Sequence, residues 1–180
     1  DGNKTLVSIE ITPDSKRVIT GEPTPLNATG IFDDGTAQNL TDVVAWTNGP
    51  TFFSNTAGSF TAEATARGIT GTADFTVIDR VVEDLAPIAR IDSPDSGDTV
   101  TSPTDIAGTV QDDNLLRWEL AERYAGEDSF GVFEEGFNTA SASAIGEFDP
   151  TKLLNGLYEV RLRAYDAAGN VSEDSTTVQV

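Results

Sequence analysis

The chain has 180 residues, 11 Lys and Arg against 30 Asp and Glu, a formal net charge of −19, and no Cys, His or Met. A field of that sign repels phosphate backbones, so nucleic acid is not an expected partner. The missing thiols and imidazoles exclude disulfide frameworks and Ser–His–Asp hydrolysis, and leave oxygen-ligated hard cations as the open metal class.

The length admits one large domain or two of β-sandwich size. No apolar run approaches the ~20 residues of a membrane helix, so membrane insertion is not expected. No charged-then-apolar leader opens the chain, and Asp1 reads as the start of an excised fragment or a mature form. The acidity is uneven: residues 1–82 carry 10 acids and 5 bases, residues 83–180 carry 20 and 6. Such a surface favours a soluble monomer.

In chain order, residues 5–11 (TLVSIEI) read as a first strand, with Leu6 set against Val7 and Ile9. Thr12-Pro13-Asp14 turns the chain and residues 17–20 return it. Residues 25–32 place Leu26, Ala28, Gly30 and Phe32 on one face, before the Asp33-Asp34-Gly35 turn. Residues 40–46 read as a strand with Val44 and Trp46 on one side. Phe52 and Phe53 form a short apolar patch. Phe60, Ala62, Ala64 and Ala66 then alternate, Arg67-Gly68 turns, and Ala73, Phe75 and Val77 close the unit.

Three stretches, LVSIEITP, LNATGIFDDGTAQNLTDVVAW and AGSFTAEATARGITGTADFTV, make residues 5–79 resemble the bacterial immunoglobulin-like domain group 2. The segment at residues 51–56 is shorter than that family usually carries, which bears on the middle strand pairing. Residues 79–87 (DRVVEDLAP) read as a short linker, because Pro87 blocks continuation of a sheet strand. The expected domains are 1–82 and 83–180.

In the second half Ala89 and Ile91 point inward, and Ile106, Gly108 and Val110 alternate before the Asp112-Asp113-Asn114 loop. Leu116, Trp118 and Leu120 predict a strand carrying a buried Trp. Residues 125–138 read as loop-rich and acidic, with Phe130, Phe133 and Phe137 set into them. Ile145 and Phe148 mark a short strand, and Asp149-Pro150 opens a single helical turn. The strongest signal is at residues 153–172: Tyr158, Val160, Leu162 and Ala164 alternate with Glu159, Arg161, Arg163 and Tyr165. Asn155-Gly156 precedes this strand and Asp166–Asn170 turns it into the last one. The expected fold is all-β: two tandem immunoglobulin-like β-sandwiches. Residues 86–180 resemble the Ig-like repeat modules of large bacterial surface and secreted proteins. That resemblance implies a stalk, spacer or adhesin segment, extracellular or at the cell surface, with flanking domains of the same polypeptide as its neighbours.

Two constellations could carry chemistry. In a sandwich of this kind the start of the first strand, one internal loop and the last hairpin share a pole. Glu83, Asp84, Asp112, Asp113, Asp166 and Asn170 are then expected together at the domain junction, an oxygen-only set suited to Ca²⁺. Asp and Asn are also simply good turn formers, and the same residues fit that reading. The second constellation is aromatic: Tyr165 on the outward face of a strong strand, and Tyr124 beside a loop, could contact a glycan or protein ligand. The alternative function is therefore a carbohydrate-binding β-sandwich module of an extracellular enzyme or adhesin. The adjacent pairs Asp112-Asp113, Glu127-Asp128 and Glu134-Glu135 point apart on an extended chain, so the two-carboxylate chemistry of a glycosidase is not expected.

Overall fold

A computed structural model describes residues 4–13, 15–82 and 85–180. The chain divides into two compact units, residues 1–80 and 81–180. The first is built from β1 (Leu6–Thr12), β2 (Ser15–Ile19), β3 (Thr24–Pro25), β4 (Asn27–Phe32), β5 (Ala37–Asn39), β6 (Ala45–Trp46), β7 (Thr51–Phe52), β8 (Gly58–Ala66) and β9 (Ile69–Ile78). The second contains β10 (Ile88–Ser93), β11 (Asp98–Thr99), β12 (Thr104–Gln111), β13 (Leu115–Tyr124), β14 (Gly131–Gly136), β15 (Ala140–Phe148), a 3₁₀ turn (Pro150–Lys152), β16 (Leu157–Asp166) and β17 (Val171–Gln179).

In the first unit the sheet β1-β4-β5 faces the sheet β2-β9-β8-β6, with β3 and β7 paired at the side. Period-two alternation sends one face of each strand inward. Ile9 and Ile11, Leu26 and Ala28, Ala62 and Ala64, and Phe75 and Val77 form the core. Phe52 stacks on Phe75 with ring centroids 4.1 Å apart. Burying a ring of this size contributes about 2–3 kcal/mol, so this stack is a principal contact of the core.

The second unit packs β10-β12-β15 against β11-β17-β16-β13-β14. Its core joins Ile106, Val110, Trp118, Leu120, Phe148, Val160 and Leu162. Trp118 is buried as expected, and its indole N–H donates to the Asn138 carbonyl at 3.0 Å. Gly136 lies directly across from it: a Cβ there would sit 2.1 Å from the indole ring, so only glycine fits. Asp149 caps the 3₁₀ turn by accepting from the Thr151 N–H, with Pro150 at the first position. Each unit is a two-layer, immunoglobulin-like β-sandwich.

In both units the first strand changes sheets. β1 pairs with β4, and β2 then crosses to run parallel to β9, from Ser15 beside Asp74 to Ile19 beside Ile78. In the second unit β10 pairs with β12, and β11 crosses to run parallel to β17.

Four expectations are corrected. Val7 does not face the core; a register shift between Leu6 and Ser8 turns Leu6 inward with Ile9 and Ile11 and leaves Val7 exposed. Residues 40–46 are not one strand. The Leu40 carbonyl accepts from Val43 N–H at 2.9 Å and Val44 N–H at 3.0 Å, closing a turn, and only β6 remains extended. The segment 125–138 is not all loop, because β14 forms the edge of the larger sheet. Within β13, Leu115 rather than Leu116 is buried, through a register shift before Arg117.

Candidate functional site

The acidic loops of the second unit do meet at one pole. The Asn114 carbonyl accepts from the Ala167 N–H at 2.9 Å, and the Leu85 carbonyl accepts from Asn170 Nδ2 at 3.3 Å. What the acids do there differs from the calcium expectation. Asp166 is 1% exposed. Its Oδ1 accepts from the N–H groups of Ala168 (2.9 Å), Gly169 (2.7 Å) and Asn170 (2.7 Å). Its Oδ2 accepts from Asn170 Nδ2 at 2.9 Å. The carboxylate is thus the internal cap of the β16–β17 loop, and Asn170 presents a donor to it, not a ligand oxygen. Asp112 folds on its own loop in the same way, accepting from the Asn114 N–H at 2.7 Å. Asp113 lines an open surface groove with Leu85 and Ile88. Glu83 and Asp84 lie outside the described residues. Among the described residues no three acids come close enough to hold a metal ion.

Tyr165 faces outward on β16, as expected, but its ring is covered. The Arg117 guanidinium sits 3.9 Å from the ring centroid, and the hydroxyl donates to Glu119 Oε1 at 2.8 Å. Burial raises the Tyr165 phenol above its ordinary value and Glu119 adds to the effect. Burial also disfavours the Glu119 charge, yet the hydrogen bonds from Arg117 and Tyr165 outweigh it and hold that carboxyl below 4.5. Arg117 thereby closes one face of the ring to a stacking ligand.

The surrounding sheet face is a lattice of charge pairs. Arg163 bonds Glu173 at 2.9 Å, Arg123 bonds Glu159 at 2.6 Å, and Arg117 bonds Glu119 at 2.7 Å. Phe130 lies among them, with the Arg161 guanidinium 3.9 Å and the Arg123 guanidinium 4.4 Å from its centroid. The buried Arg161 Nε has no hydrogen-bond partner among the described residues.

Tyr124 has a different setting. It ends β13 opposite Tyr158 of β16, 40% exposed, with the two rings edge to face at 5.3 Å. Beside it a groove of about 350 Å³ is lined by Glu122, Leu153 and Tyr158, among others. Glu122 stands directly across from the fully buried Val160, so it belongs to the inward-facing row Trp118, Leu120, Glu122, Tyr124. Burial raises its carboxyl above the ordinary value. A carboxylate at an inward position of a regular period-two row is a signal that the sequence carries, although Tyr124 is the residue of this row that stands out there as a ligand candidate.

No known family description matches the chain, and no curated protein sequence matches it significantly. Solved structures similar to it include the endo-beta-1,4-mannanase from Thermotoga petrophila, at 16% identity and a TM-score of 0.41, covering 54% of this chain and 20% of that one. The fibronectin(III)-like modules of CbhA from Clostridium thermocellum match at 17% identity and a TM-score of 0.38, over 96% of this chain and 93% of theirs. A chimeric titin Z1Z2 tandem matches at 14% identity and a TM-score of 0.27, over 98% and 97%. The chain spans about a fifth of the mannanase's length.

Proposed function

We propose that the chain is a non-catalytic structural module, a spacer within a larger bacterial protein that is secreted or held at the cell surface. One observation supports this reading above the others: the path of the chain through each sandwich. In the first unit β1 lies with Ile9 against Gly71, near the start of β9, and β2 advances beside β9 to its far end at Ile78. In the second, Leu85 and Ile91 contact Asn170 and Asp174 near the start of β17. Val180, after the end of β17, exchanges both backbone hydrogen bonds with Gly156 at the opposite end. Because the crossing strand is parallel to the last strand, the chain comes in at one pole of each unit and leaves at the other. Modules with that path can be strung in series without the chain doubling back. The acidic surface keeps neighbouring copies apart, and the charge-paired outer sheet face tolerates water.

Pulling on the two ends tests this. Force applied along the chain drives β2 against β9 and β11 against β17 in opposite directions, loading their hydrogen bonds together. Single-molecule extension is expected to give two separate unfolding events, one for each unit. A single event releasing the whole chain, or extension without any force barrier, contradicts the spacer reading.

A further inference from the structure

We propose that the groove beside Tyr124 binds a neutral saccharide, with Glu122 and the hydroxyl of Tyr158 as its hydrogen-bonding groups and the Tyr124 ring as its apolar wall. This goes beyond the spacer reading and does not depend on it.

Glu122 occupies a place where the sandwich elsewhere puts apolar side chains. Its neighbours in the inward row are Trp118, Leu120 and Tyr124, and its cross-strand partner Val160 is fully buried. It has no hydrogen-bond or ion-pair partner among the described residues. A partly desolvated carboxylate without donors is unfavourable, and the upward shift of its titration reflects that cost.

Tyr158 adds a hydroxyl at the same groove. Its side chain is 6% exposed, with Phe148 at 6.3 Å and Tyr124 at 5.3 Å fixing the ring, yet its hydroxyl has no partner among the described residues. Both groups line the one groove. An acceptor and a donor–acceptor thus stand together without partners among the described residues, beside a half-open aromatic ring.

The ring itself is seated by a close approach. Tyr124 lies over Gly156, where a Cβ would be 2.3 Å from a ring carbon, so any larger residue at 156 would displace it. This holds one ring surface against the backbone and leaves another toward the groove. Apolar C–H faces of a sugar pack on such a ring, while its hydroxyls donate to a carboxylate and exchange hydrogen bonds with a phenol. The volume lies at the small end of ligand sites and suits the end of an oligosaccharide.

The charges argue for a neutral ligand. Arg123 lines the groove but is engaged: its Nε and Nη2 donate to Glu159 Oε2 at 2.9 and 2.6 Å, and its Nη1 to the Glu127 carbonyl at 3.2 Å. The uncompensated charge left is negative, so uronic, sulfated or sialylated sugars meet repulsion.

The test is a titration of the ¹⁵N-labelled full chain with cellohexaose, mannohexaose, maltohexaose and an N-acetylglucosamine hexamer at millimolar concentration, followed by amide shifts. At least one is expected to give saturable shifts confined to residues 122–131 and 153–158. Glu122→Gln and Tyr158→Phe keep size and ring, and each is expected to weaken that binding about tenfold or more. Tyr165→Phe, on the charge-paired face, is expected to leave the affinity unchanged. Amide dispersion in each variant confirms folding. The proposal is overturned if none of the four sugars shifts these amides. It is also overturned if the two groove variants bind as well as wild type, or if tetramethylammonium shifts these amides and the sugars do not.

Discussion

Replacing Asp166 is the most informative perturbation of the second unit. The carboxylate is almost fully buried and accepts four hydrogen bonds, three of them from consecutive backbone amides of its own loop. A hydrogen bond to a charged acceptor contributes about 1.5–3 kcal/mol, but water can rehydrate part of a hairpin loop once the cap is removed. Asp166→Ala is therefore expected to destabilise the second unit by about 3 kcal/mol, a fall in its melting temperature of roughly 12–20 °C for a unit of this size. Asp166→Asn retains an oxygen for the three amides but sets an amide donor against Asn170 Nδ2, so its loss is smaller. Calorimetry reads both, with the transition of the first unit as an internal reference that should not move. The Asp166→Ala deficit should be the same in millimolar Ca²⁺ and in chelator, because the donors to Asp166 come from the protein. A deficit under about 1 kcal/mol would refute the capping role. A deficit present only with calcium would mean that the loop is a metal site.

Three further outcomes follow from the same contacts. Gly71→Ala places a Cβ 2.2 Å from the Ile9 carbonyl oxygen, which only a backbone shift can relieve; the first unit should lose about 2 kcal/mol by denaturant titration while the second is unchanged. Glu119→Gln should lower the melting temperature of the second unit at neutral pH. The Glu119 carboxyl titrates below 4.5 in the folded state, so its contribution is present above that value and is lost as pH falls through the folded one; the difference between wild type and variant should vanish in acid. Glu122→Gln should do the opposite. Its folded carboxyl titrates above 4.5, so the charged form is a liability at neutral pH and none below its unfolded value. The variant should melt higher than wild type at pH 7 and equally in acid, and a lower melting point at pH 7 would contradict this.

How much of this was legible in the sequence depended on burial of a single face. β16 alternates strictly because its inner row, Tyr158 to Ala164, is the centre of the core and its outer row is wet. β4 and β9 were readable for the same reason. β14 was not, because as an edge strand it is largely exposed on both faces and carries no alternation to find. Residues 40–46 misled for a geometric reason. Leu40 and Val44 are both buried, and a spacing of four fits one face of a strand and one face of a helical turn alike. The acids at 112–114 and 166–170 signalled turns and metal ligands equally well, since both uses need short oxygen-bearing side chains; only the hydrogen-bond directions around Asp166 and Asn170 separate the two. Tyr165 announced its outward direction, whereas its cover by Arg117 comes from the neighbouring strand β13 and from no local pattern.

In each sandwich the chain runs from pole to pole. The absence of native cysteine allows a direct measurement in the second unit. Spin labels are placed at Ile88→Cys and Gln179→Cys, exposed sites at the beginning of β10 and the end of β17. The length of β17, at about 3.3 Å per residue, puts them about 25–30 Å apart. A dipolar distance in that range supports the through-path; a distance under about 15 Å would bring both ends to one pole and contradict it.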